Sequence, residues 1–500
     1  MYKRLLASHA PLCALSGVAG NKTIHRSTGS QILKIGARHF GKKCKGEKSN
    51  SLAKSTGRGL PRPQYDYKKL VDNIDDVIQN IKNRNCPGNP ELVKDMYLEY
   101  RQKLNDLEAL RHKRNTLSKQ NKGGDSESID AARKAGKQLK KDIKELNQIT
   151  ESLYVKMQDE MAQIPNDTHP LSPVGCESKA KIVKEFGKKS DPGNNSSMDH
   201  VQICDKHELL DFDAGVRVAG SKFLFFKNDA VLLELALVNW AMQELSSKHS
   251  AILSKLKISE SYTPVITPDV ALTDIVRRCG FVPREQEGLD EDAPSHIYNI
   301  RNTDLSLIGT SEIPIAGSKA GLNLDPDTLP LKMVGFSHCF RAEAGASGLL
   351  NKGLYRMHQF SKVEMFAFCK QLDSNDVLQE IVDIQVELMS KLGLHGRVLD
   401  MPTEELGAAA YRKFDVEVYM PGRQEYGEVC SASNCTDYQS RRLGVRSGKE
   451  GFVHTVNGTA IAVPRVILAM LETHVNAAGE VEIPKVLQPY IGKERIALEN

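Results

Sequence analysis

Residues 353–366 read Gly-Leu-Tyr-Arg-Met-His-Gln-Phe-Ser-Lys-Val-Glu-Met-Phe, and residues 340–345, just upstream, read Phe-Arg-Ala-Glu-Ala-Gly. The alternation predicts a strand, a loop and a returning strand. Arg341 and Glu343 are two apart and share one face of the first strand. Arg356, His358, Phe360 and Glu364 fall on alternate positions of the second, with Val363 and Met365 turned inward. Side by side, the two strands bring arginines, carboxylates and an aromatic ring onto one surface. A single Arg–Glu pair on a strand is ordinarily a surface ion pair worth roughly 0–1 kcal/mol. A convergent set suits a phosphorylated ligand better, because arginine forks match phosphate oxygens and a ring can stack on a base.

Three further clusters surround this one. Gly309-Thr-Ser-Glu-Ile313 reads most simply as a helix N-cap. In Gly427-Glu-Val-Cys-Ser-Ala-Ser-Asn434, Glu428 and Ser431 fit a polar loop or a metal site, and Cys430 is read as a small packed residue. Val456-Asn-Gly-Thr-Ala-Ile-Ala-Val-Pro-Arg465 reads as a Gly-containing turn and strand running into an apolar helix. Arg465 lies near that helix start, where backbone N–H groups favour anions, or it is a helix surface charge; its apolar neighbours weigh against the second reading. Strands are expected at 222–226, 337–340, 359–368 and 413–419, and helices at 230–249 and 375–392. Sequence-adjacent strands with few helices between them predict an α+β domain over 199–498, an antiparallel sheet flanked by helices. No Walker A, no G-x-G-x-x-G and no H-x-x-x-H occurs, so nucleotide binding by those loops and a paired-histidine metal site are not supported.

Upstream, residues 63–165 are charged and helical. Val93, Tyr97, Tyr100, Leu104 and Leu107 alternate four-three, a coiled-coil seam. A second run follows at Leu139, Ile143, Leu146, Ile149 or Thr150, Leu153, Met157, Met161 and Ile164. The polar break Lys119–Ser128, with Gly123 and Gly124, predicts an antiparallel hairpin, closed by Pro165. Between Arg111 and Lys144 there are 11 Lys or Arg against four Asp or Glu. That excess is either a solvated face or the outer end of an arm that reaches a phosphate backbone. Residues 49–64 and 170–198 read as linkers.

The first acidic residue is Glu47, whereas Lys3, Arg4, Lys22, Arg26, Lys34, Arg38, Lys42, Lys43 and Lys45 precede it. Residues 1–48 therefore read as a mitochondrial transit peptide or a basic RNA-binding tail. The remainder of the 500-residue chain, 40% hydrophobic and 26% charged overall with net charge +5, has the composition of a globular protein. No apolar run reaches the roughly 18 residues of a membrane span. Ten cysteines are scattered without a C-x-x-C pair, which predicts reduced thiols and no structural zinc.

Taken in order, the four clusters resemble the class II aminoacyl-tRNA synthetase signatures in their seryl form. The T-x-E serine motif matches Thr310-Ser311-Glu312. Motif 2 matches Phe340–Glu343 with Gly353–Glu364, and motif 3 matches Asn457-Gly458-Thr459 through Arg465. Pro268 is the candidate for the motif 1 interface proline, residues 481–490 resemble the family's ending, and Gly427–Arg442 is most similar to animal mitochondrial members. The likeness spans about residues 63–492. It departs from the pattern at Leu349–Lys352 in the motif 2 loop, at Ser311, and at Thr459, Ala460 and Pro464 in motif 3.

The resemblance implies a serine–tRNA ligase, a homodimer using ATP and Mg2+ and binding tRNA(Ser); the leader adds the mitochondrial matrix as its address, and the charge excess on the arm predicts Lys137, Lys140 and Lys141 as tRNA contacts. The resemblance implies Arg341 on the α-phosphate and the serine carboxylate, Glu343 on the adenine amino group, and Phe360 stacked on the ring. Arg356 and Arg465 would meet the γ-phosphate, and Glu428 and Ser431 would ligate Mg2+. Thr310, Glu312, Glu364 and Thr459 would surround serine, Glu312 near the ammonium and Glu364 at the hydroxyl. The alternatives are a catalytically inactive relative serving as an RNA-binding or scaffold protein, and an enzyme activating another small amino acid. Arg341, Glu364 and Arg465, which loss of activity would be expected to erase, are all present.

Overall fold

The computed structural model of the chain describes residues 59–120, 126–189, 198–281, 297–342, 353–449 and 451–497. The leader, the Gly123-Gly124 break, Glu343 and the Leu349–Lys352 loop lie outside them.

Eight strands form the main sheet: β1 (Lys181–Phe186), β2 (Thr263–Ile266), β3 (Leu331–Phe340), β4 (Gln359–Cys369), β5 (Gly396–Asp400), β6 (Arg412–Met420), β7 (Glu425–Thr436) and β8 (His454–Ala462). Their order is β1-β5-β6-β7-β8-β4-β3-β2. All neighbours are antiparallel except β2 and β3, a parallel pair at one edge. The α+β expectation holds, with that one parallel edge added.

Alternation along β4 divides the domain into two layers. Val363, Met365, Ala367 and Cys369 join the large core under the helices Asp229–Ser246, Ser374–Lys391 and Val463–His474. Phe366 and Phe368 point the other way, into a smaller core with Ile275, Ile308, Ile313 and Ile315. Lys362 and Glu364 share that second side and are buried polar residues between the cores.

Several expected loops are strands. Residues 170–198 contain β1, an edge strand whose side chains are mostly exposed, so its sequence carries no apolar alternation. Residues 427–434 lie inside β7. The stretch Asn457-Gly458, expected to turn, runs straight through β8. A Cβ on Gly458 would stand 2.5 Å from Ile381 of the covering helix, so this glycine serves close helix–sheet approach rather than a turn. The strand expected at 222–226 is only Phe225–Phe226.

The arm is two helices, Pro90–Gln120 and Ser126–Gln163, packed against each other. Val93, Leu107, Ile143, Met157 and Ile164 are buried along the seam. Of the two candidates at its centre, Thr150 faces inward, its hydroxyl bonded to the Leu146 carbonyl at 2.7 Å, and Ile149 is exposed. Lys137, Lys140 and Lys141 are exposed on the second helix.

The base of the arm is fastened by Arg84, fully buried at the end of the Ile74–Arg84 helix. Its guanidinium donates to the carbonyls of Asn166 (2.7 Å), Asp167 (3.2 Å), Gly407 and Ala410 (2.9 Å) and to the Thr168 hydroxyl (3.3 Å). Arg84→Met keeps the bulk and leaves buried carbonyls unpaired, which costs about 3 kcal/mol. Urea unfolding should show that loss as a lower midpoint, whereas a midpoint equal to wild type would remove Arg84 as the anchor.

Candidate active site

A cavity of about 1120 Å3 opens on the side of the sheet away from the large core. Its wall includes Thr310, Glu312, Arg341, Arg356, Phe360, Glu364, Glu428, Ser431, Thr459 and Arg465. These are all the sequence-derived cavity candidates except Glu343, which lies outside the described residues, and His358. His358 does not join them. The strand begins only at Gln359, after a 3-10 turn at Gly353–Tyr355, so alternation does not extend back to His358. Its ring stacks on Phe223 at 5.1 Å and bonds the Arg341 carbonyl at 2.8 Å.

At the floor, β4 and β8 lie side by side with Glu364 opposite Thr459. The Thr459 hydroxyl donates to Glu364 Oε2 at 3.1 Å. Lys362 Nζ reaches the same oxygen at 2.5 Å and the Thr310 hydroxyl at 2.8 Å. Lys362 was not among the expected site residues, yet it shares the parity of Phe360 and Glu364, which is the signal that finds it. Thr310 takes part in both readings: its hydroxyl also accepts the Glu312 N–H at 3.3 Å at the start of the Glu312–Gly317 helix. That short helix sits close on β3, because a Cβ on Gly335 would lie 2.8 Å from Ile315 and 3.1 Å from the Ser311 hydroxyl.

Glu312 is buried. Burial, reinforced by the nearby Glu364 carboxylate, pushes its carboxyl up to about 7, against the Gln439 hydrogen bond and the charges of Lys362 and Arg341. Arg341 closes the floor on one side. Its guanidinium lies 5.2 Å over the Phe360 ring and 3.4 Å from the Gly309 carbonyl.

The opposite wall is β7. A bulge in its pairing with β6 skips Val429, so Val416 faces Cys430 while Glu417 faces Glu428. Without it, Glu428 and Ser431, three apart, would point to opposite faces; the extra residue resets the phase and both line the cavity. Cys430 is packed inward as expected, with its thiol on the Ala460 carbonyl at 3.4 Å. Arg465 Nη1 donates to Glu428 Oε2 and to its carbonyl, both at 3.0 Å, and the guanidinium lies 4.6 Å over Tyr355. Enclosure in the wall would raise the Glu428 carboxyl; Arg465, helped by Lys413 and Arg341, outweighs it and holds the carboxyl at about 2. Behind it, Lys413 and Asp415 pair at 2.8 Å. Burial, opposed by Lys413 and reinforced by Glu428, pushes Asp415 up to about 7. Neither was expected from the sequence.

The arrangement offers guanidinium groups on two sides, an ionised carboxylate beside one of them, an aromatic face, and a small polar pocket of Thr310, Glu312, Glu364 and Thr459. That is the complement of a triphosphate nucleotide beside a small amino acid with a hydroxyl side chain. Among the described residues no cluster of three or more His, Cys, Asp or Glu side chains could hold a metal. No helix among them is long and apolar enough to cross a membrane.

Comparison with known proteins agrees. Residues 65–168 match the family described as Seryl-tRNA synthetase N-terminal domain, and residues 297–474 match tRNA synthetase class II core domain (G, H, P, S and T). The chain is 39% identical over 437 residues to a serine–tRNA ligase of Rubrobacter xylanophilus, covering 86% of this chain and 98% of the relative. It is similar to the crystal structure of seryl-tRNA synthetase from Pyrococcus horikoshii complexed with ATP, with TM-score 0.75, 32% identity and coverage of 87% and 99%. It is also similar to the cytoplasmic serine–tRNA ligase of Naegleria fowleri in complex with AMP, with TM-score 0.70, 28% identity and coverage of 86% and 96%.

Proposed function

The chain belongs to the seryl-tRNA synthetase family and is a class II serine–tRNA ligase; on that premise we propose that it serves mitochondrial tRNA(Ser) and that the cavity residues divide the work as follows. The observation that carries the reading is the single cavity holding Arg341, Arg465 and the buried Glu312–Glu364 pair.

ATP lies bent across the sheet, its base on Phe360, its α-phosphate beside Arg341 and its γ-phosphate between Arg356 and Arg465. Glu343 belongs on the adenine amino group. Serine fills the polar pocket, its ammonium at Glu312 and its hydroxyl at Glu364 and Thr459. The serine carboxylate attacks the α-phosphorus in line, and the P–O bond to pyrophosphate breaks. The guanidinium groups hold the charge that builds, with no protein nucleophile. The tRNA ribose hydroxyl then attacks the seryl carbonyl, and AMP leaves with the mixed-anhydride oxygen.

Glu428 and Ser431 fit a Mg2+ ion: they are hard oxygen donors on one face, and the carboxylate stays ionised under Arg465. Bound there, the ion would neutralise the departing pyrophosphate. Arg465 and Glu428 would exchange part of their mutual bond for phosphate and metal.

The test is serine-dependent ATP–pyrophosphate exchange by the protein lacking residues 1–48, with a panel of amino acids. Exchange with serine is expected. Exchange with alanine or glycine instead would favour the other-amino-acid reading, and exchange with none the scaffold reading. For the arm, reversing Lys137, Lys140 and Lys141 to glutamate removes roughly three phosphate contacts and should weaken tRNA binding by about tenfold or more at moderate salt, with adenylate formation intact. Filter binding at two salt concentrations measures this, and an unchanged affinity and salt slope rejects the arm as the phosphate contact.

The mitochondrial address rests on the acid-free basic leader and on Gly427–Arg442. Import into isolated mitochondria with protection from protease, lost on deleting residues 1–48, is the expected result. A homodimer is supported by Val231, Leu232, Leu235 and Ile266, exposed apolar residues on the Asp229–Ser246 helix and the β2 edge strand, near Pro268.

A further inference from the structure

Glu312 Oε1 takes two amide donors, Gln439 Nε2 at 2.6 Å and Asn457 Nδ2 at 3.0 Å. Among the described residues Oε2 takes none, and the side chain lines the cavity. Asn457 comes from β8, two residues before Thr459. Gln439 comes from elsewhere: it is fully buried on the Tyr438–Leu443 helix, with its own groups fully committed. The second donor of its amide lies 3.3 Å from the Cys279 carbonyl, and its Oε1 accepts the buried Thr455 hydroxyl at 2.8 Å. Turning the amide over would set its carbonyl oxygen against a carboxylate and a backbone carbonyl at once. The orientation is therefore fixed, with nitrogen toward Glu312.

We propose that Gln439, locked by Thr455, is a positioning residue for amino-acid activation: it holds the Glu312 carboxylate ionised with Oε2 presented to the ammonium of serine. The inference rests on the assignment of Glu312 to that ammonium. The groups facing Glu312 are Glu364 and Lys362 on β4, Arg341 after β3, and the buried thiols of Cys279 and Cys435. Burial and Glu364 favour the neutral acid; Gln439, Lys362 and Arg341 favour the anion. The sign follows. The carboxyl sits at about 7, so the site binds an ammonium better as pH rises through that value. Losing the amide moves the rise to higher pH.

The experiment uses the full chain, with pyrophosphate exchange read between about pH 6 and 9. Gln439→Met should raise KM for serine about fivefold near pH 7 and about tenfold near pH 6, the effect of roughly one unit of displacement, and shift the rising limb of 1/KM to higher pH. kcat at saturating serine and KM for ATP should stay within about twofold of wild type. Thr455→Val should show a smaller shift in the same direction, and Thr455→Ser should restore the wild-type profile. Binding of 3-hydroxypropionate, which has no ammonium, should be unaffected by Gln439→Met. An unmoved pH profile, or an equal loss for 3-hydroxypropionate, overturns the proposal. If Gln439→Met does not fold, the Thr455→Val and Thr455→Ser pair decides it by the same profile. Wild type that fails to exchange with serine sinks the functional reading itself; wild type that exchanges, with variant profiles unmoved, sinks only this inference.

Discussion

Arg341→Ala will lower serine-dependent pyrophosphate exchange about 10³-fold, the loss that follows removal of a preorganised donor aimed at developing charge. The guanidinium is held by position more than by strong bonds. It rests 5.2 Å over Phe360, and its two contacts to the Gly309 carbonyl are long, at 3.4 Å. A group held this loosely contributes little to folding, so the melting temperature of the alanine variant should stay close to wild type. It is also free to swing onto phosphate oxygens when the nucleotide arrives. Arg341→Lys should recover little, because a point charge cannot bridge a phosphate oxygen and the serine carboxylate as a planar fork does. The loss should fall on kcat more than on KM for ATP, since Arg356 and Arg465 still hold the distal phosphates. A fall confined to KM for ATP would make Arg341 a ground-state binder and return the α-phosphate to another residue.

Much of this site was readable from the chain alone, and the places where reading stopped have physical causes. Alternation along β4 predicted both its core face and its cavity face, because the strand is regular and buried on both sides. The same rule contains Lys362, which shares the parity of Phe360 and Glu364. Parity failed where the chain is irregular. His358 precedes the strand, and the β7 bulge at Val429 puts two residues three apart on one face, which a period of two reads as a loop. Gly458 imitates a turn, although what demands it is the covering helix at Ile381. Gln439 carries no local signal. It matters through a partner far along the chain: Glu312 is 127 residues away. The grouping of Thr310, Glu312, Glu364 and Thr459 came from family resemblance; no spacing in the sequence brings them to one pocket.

Glu364 should decide which amino acid is activated. It is buried, and its Oε2 accepts both the Thr459 hydroxyl at 3.1 Å and the Lys362 ammonium at 2.5 Å. A serine hydroxyl arriving here meets an oriented acceptor and an oriented hydroxyl, whereas alanine brings no group to bond either, so discrimination of about 10⁴ or more is expected of wild type. Glu364→Ala should cut kcat/KM for serine by about 10³- to 10⁴-fold while alanine loses far less, so that selectivity falls to roughly the 10- to 200-fold that shape alone supplies. The substitution also strands Lys362 without its counter-ion, and breaking a buried pair costs about 3–5 kcal/mol, so loss of activity could be mistaken for loss of fold. Pairing Glu364→Gln with Lys362→Met removes the stranded charge at similar volume. That double variant should regain most of the melting temperature and none of the preference for serine over alanine. If stability and preference return together, the carboxylate is a strut for the sheet, and recognition of the hydroxyl belongs to Thr459 alone.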